Sequence, residues 1–84
     1  DRTRRAQQRS VADVRARFAL LTAREQEVIK LVSTGLLNKQ IAGKLGVSEV
    51  TVKVHRANGM RKMGAKSLAQ LVTMIQALKP RPPD

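Results

Sequence analysis

Between Thr51 and Lys62 the chain places five basic residues, Lys53, His55, Arg56, Arg61 and Lys62, among small or methyl-bearing residues such as Val54 and Ala57. Cations and methyl groups interleaved on one helix can do a particular kind of chemistry. A lysine donates to guanine O6 and N7, and a methyl-bearing side chain packs against the C5-methyl of thymine. Cations at the flanks reach phosphate oxygens, which set register without reading sequence. At helical spacing, Val52, Gly59 and Met63 form one face, directed at a core, with His55 at its edge. Lys53, Val54, Ala57 and Arg61 point another way. Small and apolar groups beside cations on that side suit a groove. Thr51, Arg56, Asn58 and Lys62 are candidates for the phosphates beside the groove, with Lys39 near the start of the preceding helix as a further one. Val54 is the sharpest expectation, because an exposed valine there needs something apolar to meet it.

The elements that must position these residues follow from punctuation in the sequence. Asn38 to Leu45 reads as a short amphipathic helix with Ile41, Ala42 and Leu45 inward and Asn38 as its cap. Gly46 breaks it, and Ser48 caps a second helix whose Glu49 suits a positive N-terminal dipole and which Gly64 closes. Helix, tight turn and basic second helix is the order of a helix-turn-helix, which lays its second helix in the DNA major groove. Upstream, Thr22-Ala23-Arg24-Glu25 is a capping box that opens a helix with Val28, Leu31 and Val32 on its core face, and Gly35 ends that helix in a left-handed conformation. Downstream, Ser67-Leu68-Ala69-Gln70 is a second capping box. It opens a helix carrying Leu68, Leu71, Val72, Ile75 and Leu78 on one side.

The flanks differ from this body. Residues 1–20 hold six arginines against two aspartates, with Val11, Val14 and Phe18 leading to Leu21 at helical spacing. They read as a basic amphipathic linker helix frayed at its start. Pro80, Pro82 and Pro83 stop the last helix, so residues 80–84 read as a disordered tail. The expected fold is all-α: a four-helix helix-turn-helix domain over residues 21–79, preceded by the linker helix. The chain opens on Asp1 rather than Met, which reads as a piece of a longer protein whose other part holds the regulation.

Composition bounds the function classes. The 84 residues carry a formal charge of +11, which suits a polyanionic partner. With no cysteine and one histidine, neither a disulfide nor a zinc site is expected, and no cofactor is expected either. No apolar run approaches the roughly 20 residues of a membrane span. No paired carboxylates, nucleophile–base set or phosphate loop appears, so an enzyme is not expected. Thr22 and Ser48 sit where capping accounts for them, and His55 reads as a structural or phosphate-contacting residue.

The segments LTAREQEVIKLVSTG, NKQIAGKLGVS, TVKVHRANGMRKM and AKSLAQLV resemble the DNA-binding domain of the LuxR family, in particular that of FixJ/NarL-type response regulators. The likeness runs from Leu21 to about Leu78. It rests on the Leu-Thr-x-Arg-Glu opening, the Asn-Lys-x-Ile-Ala segment and the Thr-Val-Lys-x-His start of the second basic helix. It implies a cytoplasmic bacterial transcription regulator whose last helix pairs two copies on double-stranded DNA, here through Leu71, Met74, Ile75 and Leu78. It also implies an upstream phosphorylatable receiver domain and contact with RNA polymerase. By position it puts base contacts on Lys53, Val54 and Ala57 and backbone contacts on Lys39, Thr51 and His55. Residues 1–20 resemble, more loosely, the linker helix of two-component regulators.

This chain departs from the family at Gly59, where a large aliphatic is usual, at Gly43, and at Leu37, where Ser or Thr is common. Gly59 is expected to leave a gap in the core and a marginally stable domain. Gly59→Ile is then expected to raise the melting temperature, unless Met60 or Met63 already fills the site. Two other readings compete. One is the promoter-recognition region of a sigma factor, whose helix-turn-helix opens on a similar run but fits Lys53-Val54-His55-Arg56 and Leu68-Ala69-Gln70-Leu71-Val72 less well. The other is a basic helical module for acidic protein, RNA or membrane. A single aromatic residue, Phe18, disfavours base stacking and membrane docking.

Overall fold

The computed structural model describes residues 10–79, which form five helices joined by short turns. They are α1 (Val11–Ala19), α2 (Ala23–Ser33), α3 (Asn38–Leu45), α4 (Glu49–Met63) and α5 (Leu68–Leu78). The expected fraying before Ser10 and the expected tail after Lys79 lie outside the described residues. Among the described residues, no helix is long and apolar enough to cross a membrane.

Each helix starts where a side chain can satisfy its free N–H groups. Ser10, Thr22, Ser48 and Ser67 have extended backbones, and their hydroxyls accept from the N–H three residues on, at 3.0 to 3.2 Å. The box at Thr22 is complete, because Glu25 Oε1 accepts from the Thr22 N–H at 3.0 Å. The box expected at Ser67 is half made: Gln70 Oε1 accepts from the Lys66 N–H instead, at 2.6 Å. α3 departs from expectation. Its cap residue is Leu37, which has no acceptor, and Gln40 Oε1 takes the Leu37 N–H at 2.8 Å. Asn38 is the first helical residue and its side chain serves elsewhere. Gly46 and Gly64 close α3 and α4 in the left-handed region, with φ of 70° and 75°, where a side chain would be strained.

The core is one cluster in which α2 and α4 make the most extensive pairing. Val28, Ile29 and Val32 of α2 meet Val52 and Met63 of α4, with Ile41 of α3 and Leu71 of α5 enclosed beside them. Leu31, expected inside, is only half-buried, and Ile29 takes the inner position. α1 packs on α5 and α4 through fully buried Val14 and partly buried Phe18, while Val11 stays outside. Gln26 Nε2 donates to the Phe18 carbonyl at 3.1 Å and ties the end of α1 to α2.

Two expectations are corrected by this packing. Gly59 leaves no gap. A Cβ there would overlap Ile29 Cγ1, lie 2.7 Å from Ile29 Cδ1 and touch Leu21 Cδ2 at 3.6 Å. The volume is filled by Ile29 of α2, not by Met60 or Met63, so α4 approaches α2 closely because residue 59 has no side chain. The expected dimer face also fails as a free surface. Leu71, Met74 and Ile75 are at most 5% exposed, covered within the chain, and of the four only Leu78 is partly accessible.

Candidate nucleic-acid interface

An ideal helix turns about 100° per residue, so Val50, Lys53, Val54, Ala57 and Arg61 share an arc of about 100° opposite Val52, Gly59 and Met63. The structure keeps that division. Val52, Gly59 and Met63 are buried, whereas Val50, Lys53, Val54, Ala57 and Arg61 are exposed. The three expected base readers thus lie together on one outward stripe, and Val54 is 53% exposed. Val50, not among the expected readers, is 68% exposed on the same stripe. Its signal was available in the sequence: it precedes Val54 by four residues and lies off the core face.

The flanks are half-buried and partly engaged. Thr51 Oγ1 accepts from Ser48 Oγ at 2.8 Å, which orders the first turn of α4. Arg56 Nη1 donates to Asn38 Oδ1 at 3.0 Å, across 18 residues of sequence. That bond explains why Asn38 does not cap α3, and it pins the first turn of α3 against the side of α4. Lys39, the next residue along, is exposed at that junction. Arg56 retains further donors, since a guanidinium carries five N–H groups. His55 and Asn58 are half-buried on the sides of α4.

Lys62 has a different place from the one expected. Its Nζ donates to Glu25 Oε1 at 2.7 Å, with Glu25 itself buried. The bond to Lys62 holds the Glu25 carboxyl below its ordinary value, and the Thr22 N–H adds to this. Burial opposes it, while the charges of Lys62 and His55 lower it further. One carboxylate oxygen therefore caps α2 and clamps the last turn of α4 to it. Lys62 therefore also serves as a structural clamp, with its side chain 29% exposed. The sequence showed the capping box but not its second use, because Glu25 and Lys62 are 37 residues apart.

The arrangement is a braced rod. Ser48 and Gly64 fix the ends of α4, Arg56 and Lys62 hold it to α3 and α2, and the outward stripe is left for contact.

Residues 19–75 match the family described as bacterial regulatory proteins, luxR family. Nodulation protein W of Bradyrhizobium diazoefficiens is 53% identical over 78 residues, covering 93% of this chain and 34% of that protein. Transcriptional regulatory protein FixJ of Rhizobium meliloti is 54% identical over 65 residues, covering 77% of this chain and 32% of that protein. The fold is similar to that of response regulator StyR, with a TM-score of 0.74 and 48% identity over 89% of this chain and 36% of that one. It is similar also to full-length FixJ from B. japonicum, with a TM-score of 0.74 and 41% identity over 81% of this chain and 34% of that one. The chain spans about a third of the length of the curated relatives it matches. Match, identity and fold agree that it belongs to the LuxR family of bacterial regulatory proteins, as a helix-turn-helix domain of the kind its response-regulator relatives carry.

Proposed function

We propose that this domain binds duplex DNA sequence-specifically, with α4 in the major groove, as the effector part of a two-component transcription regulator. Membership of the LuxR family makes DNA-binding transcription regulation the general role. The observation that carries the finer reading is the two-sided character of α4: a side locked into the core, and an opposite stripe of exposed cation and methyl groups. In this reading Lys53, Val54 and Ala57 meet base edges. Lys39, Thr51, His55, Arg56 and Asn58 hold the flanking phosphates. A receiver domain of the longer protein supplies phosphorylation control, and RNA polymerase is a further partner. Two copies pair on DNA, and the pairing uses what α5 leaves outside, beginning with exposed Leu68 and half-buried Val72. The exposed methyl-bearing stripe favours this over a general basic module, which needs charge but no apolar reader.

The test is binding to duplexes selected from a random pool, followed over a salt series. Affinity should fall with a log–log slope of roughly −0.9 for each phosphate contacted. Lys53→Ala should cost about 1–3 kcal/mol and relax preference at one position, whereas Lys39→Ala should weaken all sequences alike. Unchanged discrimination by the Lys53 variant would remove it from the readers, and equal affinity for RNA and acidic vesicles would remove the sequence-specific reading.

A further inference from the structure

Val50 is the second residue of α4 and at 68% is more exposed than Val54. Nothing in the fold uses it. Ser48 supplies the cap, Val52 supplies the packing, and Thr51 completes the first turn through its hydroxyl. A β-branched residue is also a poor choice for an exposed helix position. A single exposed apolar residue needs no explanation. Here there are two, four residues apart on a stripe shared with Lys53, Ala57 and Arg61, while exposed Glu49 sits beside it in the first turn.

We infer that Val50 is a base-reading residue, and that Val50 and Val54 together form a patch selecting two methyl-bearing pyrimidines. The inference rests on the placement of α4 in the major groove. Valine neither donates nor accepts a hydrogen bond, and the apolar feature that a base pair offers in that groove is the thymine C5-methyl. Any other base edge would set a polar group against the valine without a partner, which costs free energy. Recognition helices reach base edges with their N-terminal residues, which is where Val50 stands. Its rise to Val54 is about 6 Å, close to two base-pair steps of about 3.4 Å each. The two thymines should therefore lie within two base pairs of each other.

The chain is first used to select duplexes from a random pool. Each thymine of the preferred sequence is then replaced by deoxyuracil, which deletes the methyl and keeps every hydrogen-bonding atom. Two thymines within two base pairs should each lose about fourfold in affinity, the worth of one buried methyl. Val50→Ala should abolish the loss at one of them and leave the other, with Val54→Ala doing the reverse. Val50→Thr, which keeps one methyl, should fall between. Circular dichroism checks that the three variants, all altered at exposed positions, keep their helices. A preferred sequence whose uracil losses are unchanged by Val50→Ala overturns this inference alone. A pool that returns no preferred sequence overturns the groove placement and this inference with it.

Discussion

α4 and α5 both carry apolar residues beyond what a helix needs, and they use them in opposite ways. In α5, Leu71, Met74 and Ile75 are consumed by the chain's own core. In α4, Val50 and Val54 face away from it, while the packing is left to Val52, Met63 and the bare backbone at Gly59. In a domain this small the periodic apolar stripe is spoken for, because little else encloses a core. The informative apolar residue is the one that falls outside the stripe. A regular face on α5 therefore says less about partners than two valines on the wrong side of α4.

Changes on the packed sides of the two helices should both lower stability, for opposite reasons. Leu71→Ala should cost about 2–5 kcal/mol of stability, as large-to-small changes at enclosed sites do, read by chemical denaturation. A loss of self-association with stability intact would instead restore α5's inner face as a dimer surface. Gly59→Ile forces a side chain into volume held by Ile29, and should lower stability by about 1–3 kcal/mol or more. A higher melting temperature would mean that α2 and α4 can separate at little cost.

The clamp between α2 and α4 adds a pH signature. Glu25 is held below its ordinary value of 4.5, so its contribution is present above that pH. It is lost as pH falls through the lowered folded value. Glu25→Gln should remove about 1.5 kcal/mol near neutral pH, in line with a hydrogen bond to a charged group, and should flatten the stability profile below pH 4.5. A variant with an unaltered acid limb would show that Glu25 does not report on the clamp. Gly43 gives the smallest change and the opposite sign. It is exposed, and a Cβ there meets nothing within 4 Å. Gly43→Ala should therefore add about 0.5–1 kcal/mol, read as a rise in melting temperature.

Much was legible before the structure. Four of the five helix starts are written in Ser or Thr, two of them, Thr22 and Ser67, with Glu or Gln three residues on, and the three expected readers on α4 fall on one exposed stripe because helical period alone separates them from Val52 and Met63. α3 was misread at its start, since Asn38 is an ordinary cap until Arg56 is brought to it from α4. The clamping role of Lys62 was hidden for the same reason, with Glu25 as the distant partner.

Period, caps and charge are local properties, and they determined where the helices lie, which sides of α4 differ, and that the charge suits a polyanionic partner. The tertiary structure decided the use of each side chain with two possible partners: Asn38 as a brace, Lys62 as a clamp, Gly59 as a seat for Ile29, and α5's stripe as core. Those outcomes depend on which residues distant in sequence arrive within a few ångströms. Hydrogen bonding and steric overlap act only at that range, so no local pattern along the chain records them.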